Sequence, residues 1–149
     1  MLLVAARDQG LPMPAAGVLF SPYADLTFSG ASMTGKQAVG PSFIPEAIAV
    51  RAKDYAAAVD PSDPLVSPVF ADLRSLPPLL IQAGSHELLL DDAVRLAARA
   101  AADDVPVTLE VTPGVPHLFQ AFAGMLDEGK AALRRVADFL ATTVTGAVR

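Results

Sequence analysis

Two residues of the 149-residue chain have the types and setting for acid–base chemistry. They are Glu87, in Gly84-Ser85-His86-Glu87, and His117, in Pro113-Gly114-Val115-Pro116-His117-Leu118-Phe119. Each follows a short run that reads as a strand, and they stand 30 residues apart. A carboxylate beside an imidazole fixes the ring's tautomer and steadies its protonated form. The other ring nitrogen can then take a proton from a nucleophile and return it. Both residues also admit structural roles. Glu87 precedes a helical stretch whose N-terminus favours negative charge, and His117, between Pro116 and Leu118-Phe119, also fits a packed core position. Asp91 and Asp92 are rival carboxylates, but they fall in the first turn of that helix and read as structural or supporting groups. His86 reads as an incidental loop histidine.

The elements around these residues follow from periodicity and punctuation. Met1 to Gln9 reads as the last turns of a helix, stopped by Gly10 and Pro12. Ala15 to Ser21 is an almost wholly apolar run, the pattern of a strand covered on both faces. Thr27 to Gly40, rich in Ser, Gly and Thr, reads as a loop. Ser42 to Asp60 reads as a helix with Pro45 early in it and Ile44, Ile48, Tyr55 and Val59 on one face. Pro61 to Pro68 is a stiff connection. Pro77 to Gly84 is a second buried strand. Leu88 to Asp104 is a helix with Leu89, Ala93, Leu96, Ala97 and Ala100 inward. Val107 to Thr112 alternates as a third strand. Asp127 to Val144 closes the chain as an amphipathic helix on Ala131, Leu133, Val136, Phe139 and Leu140. Strands separated by helices imply an α/β fold with a mostly parallel sheet flanked by helices. In such sheets functional groups gather beyond the carboxyl ends of the strands, where Glu87 and His117 both lie.

Composition narrows the classes of function. The chain is 52% hydrophobic and 18% charged, with mean hydropathy +0.43, which suits a buried core and not a disordered chain. Eleven Lys and Arg against 16 Asp and Glu leave a net charge of −5 and no basic face for nucleic acid. No run reaches the roughly 18 apolar residues of a membrane span. No signal-peptide pattern is visible, so a cytoplasmic location is the expectation. Without cysteine there is neither a disulfide nor a thiolate metal site.

The segment from Asp63 to Gln120 contains DPLVSPVFADLRSLPPLLIQAG, ELLLDDA and PGVPHLFQ. It closely resembles the C-terminal half of the hormone-sensitive-lipase-like carboxylesterases, also described as alpha/beta hydrolase fold-3 esterases. The likeness is tight over about residues 63–122 and loose over 1–60. It implies the C-terminal part of an α/β-hydrolase domain, with residues 27–60 as a cap excursion. It also implies hydrolysis of short or medium acyl esters by a Ser–His–acid triad, in which Glu87 is the acid and His117 the base. Many members have Asp at the acid position, and Glu is an accepted variant. The order acid before histidine agrees with that of this fold. Ser21-Pro22-Tyr23 resembles a segment lining the family's pocket or simply ends the first strand, and Phe43, Ile44 and Phe119 are candidate apolar walls for the substrate or core residues. A small-molecule ester is the implied partner, and no metal or organic cofactor is implied.

The rest of the family's machinery is absent from these residues. No serine has glycine at both the −2 and +2 positions, so there is no G-x-S-x-G elbow, and no HGGG-type oxyanion loop occurs. A chain with acid and histidine but no nucleophile is expected to be a fragment, inactive alone, with the first strand's edge open to self-association. An inactive hydrolase remnant or interaction piece, and a serine peptidase of the same fold, are the alternatives.

Overall fold

Three strands form one parallel sheet in the computed structural model, which describes residues 2–40 and 44–146. The strands are β1 (Gly17–Phe20), β2 (Leu79–His86) and β3 (Val107–Pro116), in the order β1-β2-β3. Helix α1 (Leu2–Asp8) precedes β1. The β1-to-β2 excursion carries α2 (Ser32–Gly35) and α3 (Pro45–Ala56). Helix α4 (Leu90–Ala102) joins β2 to β3, and α5 (Asp127–Gly146) follows β3. No described helix is long and apolar enough to cross a membrane.

Alternation along β2 divides the packing. Leu79, Ile81 and Ala83 join the main core with Val4 of α1 and with Ala93, Leu96, Ala97 and Ala100 of α4. All five residues that periodicity turns inward on α4 are buried. On the other face, Gln82 interrupts the apolar run and is itself fully buried. Its Nε2 donates to Glu110 Oε2 at 2.7 Å and to the Ala132 carbonyl of α5 at 3.0 Å, while its Oε1 accepts from Gln120 at 3.1 Å. Arg135 donates to the same Glu110 oxygen at 2.8 Å. A polar side chain in the interior is tolerated because its hydrogen bonds are made.

Two helices face differently from their apolar pattern. On α3 the buried residues are Ile48, Ala52 and Ala56, an i, i+4, i+8 row, while Ile44 and Tyr55 are about two-thirds exposed. On α5, Ala132 and Gly129 turn inward, while Leu133 and Leu140 reach solvent. Gly129 sets that facing, since a Cβ there would lie 2.9 Å from the Phe119 carbonyl oxygen. Residues 27–40 are not wholly loop, because α2 forms a helical turn within them. A groove of about 820 Å³ runs over α1, β1 and α3, lined mainly by Leu, Val, Pro and Tyr side chains, and β1 pairs only with β2 among the described residues.

The β2–β3 register decides where the chain ends of the strands go. Leu79 to Gly84 pair one-for-one with Val107 to Thr112, and then His86 pairs with Pro116. Over that step β3 inserts extra residues, with Gly114 at a φ of 74° and its N–H donating to Ser85 Oγ at 2.8 Å. Both strands therefore run past the sequence-predicted ends at Gly84 and Thr112, and His86 belongs to the sheet. Gly84 makes the bulge possible, because a Cβ there would lie 2.2 Å from the Val115 carbonyl oxygen. Gly84→Ala is expected to lower unfolding stability by about 3 kcal/mol in urea titrations. Gly124→Ala, which meets nothing within 4 Å, should stay within about 0.5 kcal/mol of the parent.

Candidate active site

With His86 and Pro116 paired, the next residue of each strand is Glu87 and His117, and the two side chains meet. His117 Nδ1 lies 3.0 Å from Glu87 Oε2, with the Glu87 side chain fully buried and that of His117 11% exposed. This is hydrogen-bond distance, and a buried carboxylate at Nδ1 favours the tautomer protonated there. Nε2 is then the nitrogen suited to proton transfer. The second carboxylate oxygen, Oε1, is buried without a hydrogen-bond partner among the described residues.

The histidine loop is anchored from below. Leu118 adopts a left-handed conformation, φ 54°, and its N–H donates to Ser21 Oγ at 3.2 Å. Ser21 is buried at the end of β1, so its hydroxyl supports the loop that carries His117. Phe119 is fully buried against Val115, Ala132 and Leu126, a core position under α5 and not a wall open to solvent. Pro22 is half-buried and lines the apolar groove, which neither Glu87 nor His117 lines. Ile44 is exposed, and Phe43 lies outside the described residues. No group of three or more His, Cys, Asp or Glu side chains suited to a metal ion occurs among the described residues.

A family model described as alpha/beta hydrolase fold matches residues 1–121. The chain belongs to that family, in its hormone-sensitive-lipase-like branch. An acetyl-hydrolase of Streptomyces hygroscopicus is 43% identical over 140 residues, covering 94% of this chain and 47% of that protein. An esterase of Acinetobacter venetianus is 40% identical over 139 residues, covering 93% and 46% respectively. Among solved structures, an esterase from the bacterial hormone-sensitive lipase family superposes with a TM-score of 0.92 at 45% identity, over 95% of this chain and 48% of that one. The chain thus spans about half the length of the curated relatives it matches.

Within this α/β-hydrolase framework, the two rival carboxylates face the excursion and not the histidine. Asp91 Oδ2 accepts the Ser32 N–H at 2.9 Å. Asp92 Oδ2 accepts the N–H groups of Ala24 and Asp25 at 2.8 and 2.9 Å. Neither contact shows in the sequence, because both join segments far apart in the chain. Asp25 is buried and takes hydrogen bonds from Thr27, Ser29 and Arg95, the last at 2.5 Å. Burial alone would raise its carboxyl, but the bonds from Ser29, Thr27 and Arg95 outweigh that and bring it down to about 2. Asp92 goes the other way. Burial raises it to about 6, only partly opposed by the Ala24 and Asp25 N–H groups, and the neighbouring Asp25 charge pushes in the same direction against Arg95. Burial, then Asp92 and Asp25, also push the Tyr23 hydroxyl well above its ordinary value.

These opposite shifts give opposite pH dependences. Asp92 binds its proton more tightly in the folded than in the unfolded chain. Its contribution is fully present below its ordinary 3.8 and is lost as pH rises through about 6. The contribution of Asp25 is present above 3.8 and lost as pH falls through about 2. An amide oxygen can accept the same two N–H groups, so Asp92→Asn should remove the first dependence alone. Urea unfolding of this variant is expected to be flatter between about pH 4 and 6.5, with a gain of up to about 3 kcal/mol at neutral pH.

Proposed function

We propose that this chain contributes the acid and the general base of a serine carboxylic-ester hydrolase. Glu87 orients His117 and stabilises its protonated ring, and His117 Nε2 takes the proton of a serine hydroxyl as that oxygen attacks the ester carbonyl. The proton then passes to the departing alcohol, and a water repeats the cycle on the acyl-enzyme. The observation that carries this reading is the 3.0 Å contact between His117 Nδ1 and the buried Glu87 carboxylate. The names of the relatives, acetyl-hydrolase and esterase, support an ester as the substrate class. No serine of these 149 residues has the elbow pattern, so the nucleophile and oxyanion donors belong to another segment. On this reading Ser21 and Phe119 act through the histidine loop, and Pro22 and Phe43 are assigned to the substrate side.

A chimera tests the assignment. Residues 1–149 replace the matching half of the Streptomyces acetyl-hydrolase, and p-nitrophenyl esters are assayed. Turnover is expected, with His117→Ala and Glu87→Ala each lowering kcat by about 10⁴-fold. Full activity of the His117→Ala chimera would exclude the base assignment, and cleavage of peptide amides without esters would favour a peptidase. Residues 1–149 alone are expected to show no turnover above buffer. A second reading, an interaction piece that associates through β1, is supported by the apolar groove beside that strand. A monomer in sedimentation at millimolar concentration would refute it.

A further inference from the structure

Nothing polar in the described residues orients the Glu87 carboxylate except His117: Oε2 meets Nδ1, and Oε1 has no partner. The position of the acid therefore falls on its main chain, and that main chain is gripped from the excursion by one side chain. Ser32 of α2 is 5% exposed. Its hydroxyl donates to the carbonyl of Leu88, the residue after Glu87, at 2.5 Å, and accepts the Asp91 N–H at 3.0 Å. The Ser32 N–H closes the clasp on Asp91 Oδ2 at 2.9 Å. A glycine allows the close approach, since a Cβ on Gly30 would lie 2.8 Å from Asp91 Cβ. Met33 adds apolar packing on Leu88 and Leu89.

We propose that Ser32 is a positioning residue for the acid, holding the Glu87 turn from the excursion and, through it, the Glu87–His117 hydrogen bond. The inference rests on the reading of these two residues as triad members, but its test needs no turnover. In the ¹⁵N-labelled chain of 149 residues, the His117 Nδ1–H proton is assigned by its loss in His117→Asn, and its exchange with water is measured. Ser32→Ala is expected to speed that exchange about tenfold, the equivalent of one lost hydrogen bond. Ser32→Thr, which keeps the hydroxyl, should restore the parent rate.

Ser67→Ala is the control for loss of stability alone. Ser67 also ties down the excursion, through the Leu26 N–H and the Pro61 carbonyl, and touches no part of the Glu87 turn. Its exchange rate should match the parent's. An unchanged rate in Ser32→Ala, or an equal acceleration in Ser67→Ala, would overturn the proposal. Should Ser32→Ala fail to fold, Asp91→Ala removes one bond of the clasp and must accelerate exchange for the proposal to stand. An inactive chimera combined with the expected exchange pattern would reject the esterase reading and leave the role of Ser32 intact.

Discussion

The pairing of β2 with β3 is the constraint on which the candidate site depends. Parallel strands in register deliver their chain ends to one edge of the sheet, but equal register alone would leave Glu87 opposite a residue before the histidine. The extra residues of β3 between Thr112 and Pro116 correct this, so that His86 and Pro116 pair and the next residues meet. The correction needs a strand position without a side chain, Gly84, over which the Val115 carbonyl passes. It also needs a left-handed turn at Gly114. A 30-residue spacing therefore becomes a 3.0 Å contact.

Around that contact the fold divides its polar groups by destination. Gln82 of β2, Glu110 of β3, Arg135 of α5 and Gln120, just after His117, form one hydrogen-bonded chain on the histidine side of the site. Asp91, Asp92, Ser32, Asp25 and Arg95 fasten the acid side to the excursion. Burying so many polar groups is costly unless each is paired, and most here are paired across long sequence separations. The excursion and the start of α4 are joined by hydrogen bonds that each run between a side chain and the main chain. Asp92 shows the cost, since its burial leaves it harder to ionise than an exposed carboxylate.

Much of this was legible in the residues themselves. Two apolar runs and one alternating run marked the three strands, and the inward row of α4 followed from its 3.6-residue period because that helix lies flat on the sheet. The family resemblance, carried by short motifs around Glu87 and His117, agrees with the family model over residues 1–121. The faces of α3 and α5 were not legible in the same way. A helix buries whichever side its neighbours cover, and small residues such as Ala52, Ala132 and Gly129 allow closer approach than the larger apolar residues beside them.

The sequence by itself determined the fold class, the order of the elements and the two residue types that could form a proton relay, because these depend on local periodicity and motif. The family resemblance already singled out Glu87 as the partner of His117, and the tertiary structure supplies the contact and its physical reason. Glu87, Asp91 and Asp92 lie within one short stretch, and the strand register and the turn into α4 point the first toward the histidine and the others toward Ser32, Ala24 and Asp25. Ser21, Phe119 and Ser32 likewise took their places through contacts between distant segments, which local patterns do not encode.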